Sequence, residues 1–211
     1  MNLHPQIIEG EKYNISHQFL FHTPIFEIQL DDVDNNKLAD IIYQLKEDDK
    51  EGMSVSNMGG WHSKFRNEND GAESFDELFE NLRYILPILP FNPNIKELVS
   101  IDSWAMINKK GDFNLVHNHL YASDTLRVDL SAVYYVKVPE GDSGNIAFRD
   151  PRSVINGNTF VHSRYNDGLE WEHRYPKEGL MYIFPAFLDH MVRPNKTEED
   201  RIAISFNLTV R

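Results

Sequence analysis

The sequence predicts a mainly β protein, an antiparallel sandwich or barrel whose helices are confined to the N-terminal part. From Leu98 onward, short apolar runs are punctuated by glycine and proline turns, the texture of many-stranded antiparallel folds. Apolar residues at helical spacing occur only before that point, so the helices are expected to pack on one outer face of the strands. No internal repeat or low-complexity segment interrupts this two-part pattern.

The first strand is expected over 24–30, where Phe26, Ile28 and Leu30 alternate. After an acidic turn, Leu38, Ile41, Ile42 and Leu45 recur with helical period, and Asp34 suits the N-cap. Residues 51–70, rich in Gly, Ser and Asn around Trp61, read as a loop. Gly59, Gly60, Trp61 and His62 then belong either to a substrate lid or to a connector with Trp61 tucked onto the core. A second helix begins where Ser74 and Glu77 have capping-box spacing. Its buried stripe is Phe75, Leu78, Phe79, Leu82 and Ile85, and Pro87, Pro90 and Pro93 end the helical region. Strands follow over 101–107, 113–121, 130–138 and 145–149 and, after an irregular stretch through Tyr165, over 180–184, 190–192 and 202–211.

A chain of 211 residues fits one domain with a sizeable core, or a core with an added subdomain. Hydrophobic content of 41% with 13 phenylalanines is ordinary globular material. The net charge of −12 argues against nucleic acid as partner, since no basic stripe displaces counterions. A small anionic ligand stays open, because a few local arginines overrule the global field. With no cysteine, disulfides, thiolate metal sites and cysteine nucleophiles are all excluded, so any metal must use nitrogen and oxygen ligands. The N-terminus lacks a basic region followed by an apolar run, and no apolar segment approaches membrane-spanning length. The expectation is a soluble cytoplasmic protein without a membrane partner. A homo-oligomer that covers the barrel's edges is compatible with the sequence.

Three histidines carry the chemistry. His117 and His119 lie two apart in a strand-like run, and residues two apart on a strand share a face. His190 ends a second strand-like run that begins Phe184-Pro185. Two imidazoles from one strand and one from another cap a single side of a metal ion and leave other positions open, as a catalytic metal requires. Arg201 follows, on a strand face with Ala203, Ser205 and Asn207. A buried arginine beside an open metal site suits a carboxylate-bearing co-substrate.

These residues resemble a known family. The runs Phe113 to His119, Ser131 to Val136 and Gly144 to Phe148, then Phe184-Pro185 with His190, then Arg201 to Asn207, are similar to those of the 2-oxoglutarate/iron(II) oxygenases. Within that family they resemble a prolyl-hydroxylase-like group from bacteria and marine phages. The resemblance covers roughly 104–207 well and the N-terminal part more loosely. It implies a double-stranded β-helix, or jelly roll, with the metal near one mouth. It also implies a single oxygenase domain over 1–211, in which 1–97 packs on a β-helix core formed by 98–211.

Iron(II) as cofactor and 2-oxoglutarate as co-substrate are implied as well. His117 and His190 match the two histidine ligands, and His119 stands where the family has a carboxylate. The reading favoured is ligation by His117, His119 and His190, with Asp124 or Asp129 as alternative carboxylates. Asp189 belongs outside the ligand set. Arg201 matches the residue that pairs with the distal carboxylate of 2-oxoglutarate. Ser205 and Tyr135 match further contacts to that carboxylate, Tyr134 should then face outward, and Asn108 lines the same pocket. Arg152 either meets substrate or forms an exposed salt bridge. The implied reaction uses dioxygen, releases succinate and carbon dioxide, and most commonly hydroxylates a small-molecule or peptide substrate. The rival readings are a cupin-like three-histidine metalloenzyme that does not use 2-oxoglutarate, and a non-catalytic jelly-roll binding protein.

Overall fold

Alternation of apolar and polar residues builds two facing antiparallel sheets, one of which carries the helices. The computed structural model describes residues 6–9, 14–17, 22–67, 75–90, 97–120, 127–152 and 170–211. In chain order the elements are β1 (Gln6–Glu9), β2 (Asn14–His17), β3 (Phe26–Gln29), α1 (Asn35–Asp48), β4 (Asn57–Met58), β5 (Trp61–His62) and β6 (Arg66–Asn67). Then come α2 (Asp76–Ile85), a 3₁₀ turn (Leu86–Ile88), β7 (Leu98–Asn108), β8 (Phe113–His117), β9 (Leu130–Lys137) and β10 (Ile146–Arg149). The last four are β11 (Trp171–Arg174), β12 (Leu180–Pro185), β13 (His190–Val192) and β14 (Arg201–Val210).

The larger sheet runs β3-β12-β9-β14-β7-β5, with β6 also paired to β7, and the smaller runs β11-β10-β13-β8-β4. β1 and β2 form a pair of their own. This is the double-stranded β-helix, mainly β with N-terminal helices. β14, central in the larger sheet, shows how it is sorted. Ile202, Ile204, Phe206 and Leu208 join the core cluster that includes Leu38, Ile42, Leu78 and Leu82 of the two helices. Arg201, Ala203, Ser205 and Asn207 instead line the space between the sheets. A period of two places one set under the helices and the other in the cavity. A second cluster, including Tyr135, Phe148, Phe184 and Leu188, closes the floor between the sheets.

The helices follow their predicted stripes. Asp34 caps α1 by accepting from the Lys37 N–H at 3.0 Å. At α2 the cap is Phe75, with no side-chain cap hydrogen bond; Asp76 and Glu77 in the first turn complement the helix dipole instead. Ser74 lies outside the described residues. Tyr134 faces away from the cavity as expected but does not reach solvent, because α1 covers it and its hydroxyl donates to Asn35 at 2.7 Å. Trp61 is buried, with its indole N–H donating to the Asp49 carbonyl at 2.7 Å. Of the two readings of that segment, Trp61 takes the connector. No helix among the described residues is long and apolar enough to cross a membrane.

Two local features position the site. Between β8 and β13 the register shifts: His190 faces His117 and Val192 faces Asn114, so two steps on one strand span three on the other. This is a β-bulge, and it turns both Asn114 and His117 toward the cavity while Leu115 and Val116 are exposed. The other is the turn between β13 and β14, pinned by the fully buried Asn195. Its amide donates to the carbonyls of Asn108 (3.0 Å) and Glu199 (2.8 Å), and its oxygen accepts from the Thr197 N–H at 2.9 Å.

Candidate metal centre

His117 closes β8 and stands opposite His190, the first residue of β13, with ring centroids 4.3 Å apart. The sequence pattern carries the strand on through His119, but β8 ends at His117. Asn118 ends it: its side chain accepts from the Leu120 N–H at 3.3 Å and donates to Asp189 at 2.9 Å, pulling the backbone out of the ladder. The His119 N–H then donates to the Ala186 carbonyl at 2.9 Å. Its ring still returns to the cavity, with its centroid 5.1 Å from that of His190 and 5.3 Å from that of His117. One nitrogen from each ring lies within 4.8 Å of the others.

Hydrogen bonds select which nitrogen that is. A carbonyl oxygen only accepts, so the His117 Nδ1–H donates to Leu115 O at 2.7 Å and the His190 Nδ1–H to Leu188 O at 2.9 Å. The His119 Nδ1–H donates to Asn207 Oδ1 at 2.6 Å. Each ring therefore keeps an unprotonated Nε2. That of His119 is buried with no partner among the described residues, and an unmet buried acceptor calls for an occupant. Burial, first among the causes, pushes all three imidazoles below their ordinary pKa, His119 to about 4 and His190 well down with its two neighbours adding to the effect. Near pH 7 they are neutral bases facing a common point, a donor set that fits iron(II).

Among the described residues no carboxylate joins this group. Asp129 is taken by Arg127 and the Val210 N–H, and Asp189 holds Asn118. Asp124 lies outside the described residues.

The opposite wall comes from the larger sheet. Arg201 pairs in register with Asn108, and Ala203 with Tyr135. Together with Ser205 and the three histidines, these residues line one cavity of about 360 Å³. Arg201 is only 3% exposed, and one of its terminal nitrogens donates to the carbonyls of Ser143 (2.8 Å) and Gly144 (2.9 Å). No carboxylate pairs with it among the described residues, and burial pulls the guanidinium pKa down. A buried cation so placed is costly until an anion arrives. Burial likewise pushes the Tyr135 hydroxyl pKa up. The buried Asn108 amide nitrogen is a donor without an acceptor among the described residues.

Arg152 does not line the cavity; it forms a bidentate pair with Asp150 at 2.9 and 2.6 Å. Several residues without a predicted role do line it. Trp104 stacks on His119 at 5.6 Å and on His62 at 5.7 Å, while Phe65 meets its edge at 5.1 Å. Ser56 and Asn114 sit beside His117. Period-two alternation puts Trp104 and Met106 on the cavity face with Asn108, the one signal that could have marked them.

A jelly roll with a metal-fitting imidazole group facing an unpaired guanidinium defines a class, the non-haem oxygenases that use a keto diacid. By sequence, residues 102–207 match the family described as "Putative 2OG-Fe(II) oxygenase", and the chain belongs to that family, whose members work with iron(II) and 2-oxoglutarate. No curated protein matches the sequence. Solved structures share the fold at low identity. A prolyl-4-hydroxylase from Pseudomonas putida superposes with a TM-score of 0.59 at 15% identity, over 89% of this chain and 92% of that one. A prolyl hydroxylase from Trichoplax adhaerens, in complex with a hypoxia inducible factor peptide fragment, gives 0.60 at 12%, over 87% and 82%. HygX from Streptomyces hygroscopicus, with nickel and 2-oxoglutarate bound, gives 0.53 at 14%, over 88% and 82%.

Proposed function

We propose that this oxygenase is a dioxygenase that hydroxylates a carbon of its substrate while 2-oxoglutarate is converted to succinate and carbon dioxide. His117, His119 and His190 hold the iron. Arg201, Ser205, Tyr135 and Asn108 hold the co-substrate. The observation that carries this reading is the meeting, in one cavity, of three lone-pair-bearing imidazoles and a buried guanidinium that no described carboxylate pairs with. Bound iron(II) supplies the oxidative chemistry with dioxygen. The chain's own residues do the rest. Arg201 offers a charge-assisted fork to the distal carboxylate, Asn108 offers an unpaired N–H beside it, and the hydroxyls of Tyr135 and Ser205 complete the polar end. Phe184, Ile146 and Val192 in the lining keep water from the reacting centre. We assign 1–211 to one catalytic unit, because β4 and β5 are edge strands of the two sheets and α1 and α2 cover the larger one.

A cupin-like enzyme that ignores 2-oxoglutarate leaves the buried Arg201 unexplained, and a binding module leaves the neutral histidine group unexplained. The substrate is a small molecule or a peptide; the peptide bound to the Trichoplax neighbour supports including peptides among candidates. The test is succinate release over candidate substrates with iron, ascorbate and oxygen. Turnover that disappears in His190→Ala is expected. Iron-loaded protein that gives neither succinate nor a visible charge-transfer band with 2-oxoglutarate would overturn the reading.

A further inference from the structure

The cavity contains two buried amide groups whose unmet needs are opposite. Among the described residues, Asn108 has a donor nitrogen without an acceptor, and Asn114 has an acceptor oxygen, Oδ1, without a donor. The 2-oxoglutarate dianion carries only acceptor oxygens. It satisfies Asn108, on the Arg201 side, and has nothing to give Asn114. The Asn114 nitrogen is already engaged with Ser56 Oγ at 3.1 Å and Met106 Sδ at 3.7 Å, which fixes the oxygen as the free end. Ser56 Oγ in turn lies 3.5 Å from His117 Nε2, so this acceptor belongs to the metal side of the cavity.

The surroundings limit what can bring the donor. Trp104, with His62 and Phe65 stacked or edge-on against it, forms an aromatic wall next to His119. The His62 ring is committed through Nδ1 to the Ser63 carbonyl at 2.6 Å, and burial pushes its pKa down. Among the described lining residues there is no aspartate, glutamate or lysine, and Arg201 is the one permanent charge among them. A cationic or anionic substrate group therefore meets no counter-charge from these described residues once the diacid is bound. At about 360 Å³ the cavity is also at the small end for a ligand site, with space for one ring-sized or side-chain-sized group beside the diacid.

Resting on the reading that 2-oxoglutarate fills the Arg201 end, we propose that Asn114 and the Trp104 wall form the primary-substrate subsite. The group it takes is uncharged, with an apolar body and a single N–H or O–H that donates to Asn114 Oδ1. Amides and alcohols belong to this class; free amino acids, presenting an ammonium, do not.

The test uses four probes built on one ring: benzamide, N,N-dimethylbenzamide, benzoate and benzylammonium. Each is titrated into the zinc-loaded, 2-oxoglutarate-bound protein and followed by ligand-observed NMR. Benzamide is expected to bind about tenfold more tightly than its dimethyl analogue, the worth of one hydrogen bond to a buried acceptor, and more tightly than either charged probe. In Asn114→Leu, benzamide should fall to the level of the dimethyl compound. Dimethylbenzamide binding as well as benzamide would mean that Asn114 meets water only, and would sink the proposal. So would preference for a charged probe, or no binding of benzamide at all. The affinity for 2-oxoglutarate, read separately from the visible band of the iron(II) protein, is the control. A loss of that affinity in Asn114→Leu would assign the residue to the co-substrate and overturn the subsite. Absence of the band in the unmodified protein would instead overturn the oxygenase reading itself. If the variant does not fold, the order of the four probes on the unmodified protein still decides.

Discussion

A 2.6 Å hydrogen bond joins the His119 ring to Asn207 across 88 positions of sequence, and with it the end of one sheet to the middle strand of the other. Because Asn207 accepts at Nδ1, the lone pair of His119 stays on Nε2. Asn207→Leu removes that preference and should lower cobalt(II) affinity by about 10–100-fold, read by competition with a chromophoric chelator. Asn207→Asp, which keeps an acceptor in place, should hold the affinity. The buried imidazoles also set an acid limit for the metal-free protein. His62, His117, His119 and His190 all have pKa values depressed below 6.5 when folded. Below that pH the unfolded chain binds protons that the folded one refuses, so stability is complete above 6.5 and drains away as the pH falls toward about 4, where His119 titrates. The urea midpoint should drop steeply over that window, and a flat profile would contradict the burial of these rings. The three histidines and Arg201 were legible in the sequence through their order, their spacing and the family resemblance, although the strand expected to carry His119 stops at His117. The roles of Asn207 and Asn114 were not, since they depend on partners from other strands, and Trp104 was marked only by its alternation with Asn108 along β7.

Among the elements, the turn before β10 has little freedom. Gly144 adopts φ +83°, and a Cβ there would sit 2.2 Å from the Arg193 carbonyl and 2.7 Å from the Arg201 guanidinium. Gly144→Ala should therefore do two things: lower the melting temperature, and weaken 2-oxoglutarate binding by displacing Arg201 from its carbonyl cradle. Calorimetry and the visible band measure the two separately. Helical periodicity located both helices and their buried faces. It placed the start of α2 at Ser74, which lies outside the described residues; the described helix begins at Asp76 with Phe75 as its cap. Alternation found the long strands but overran β8 beyond His117. Neither the bulge opposite His190 nor the two-residue strands β4, β5 and β6 produces a pattern long enough to read, because each exists through its pairing with a distant neighbour.

For the molecule as a whole, the imidazoles belong to the smaller sheet and its end, and the guanidinium to the larger. Ligands that engage only one layer should stabilise less than those that engage both. Iron alone should raise the melting temperature by one step and added 2-oxoglutarate by a second, the second corresponding to about 2.7 kcal/mol of added stability at a hundredfold excess over Kd. Arg201→Ala should abolish the second and keep the first, as followed by differential scanning fluorimetry. The net charge of −12 did not foretell an anion site, since one desolvated guanidinium outweighs a distant, screened surface field. The turn pinned by Asn195 adds a constraint of length. It joins the strand that opens on His190 to the one that opens on Arg201, and it grips the backbone of Asn108 beside them. On the proposed reading, that short span fixes how far the metal stands from the guanidinium, and so the number of carbons between the two ends of the acid they hold. Diacids one methylene longer or shorter should fail on this measure alone, whichever substrate waits at the mouth.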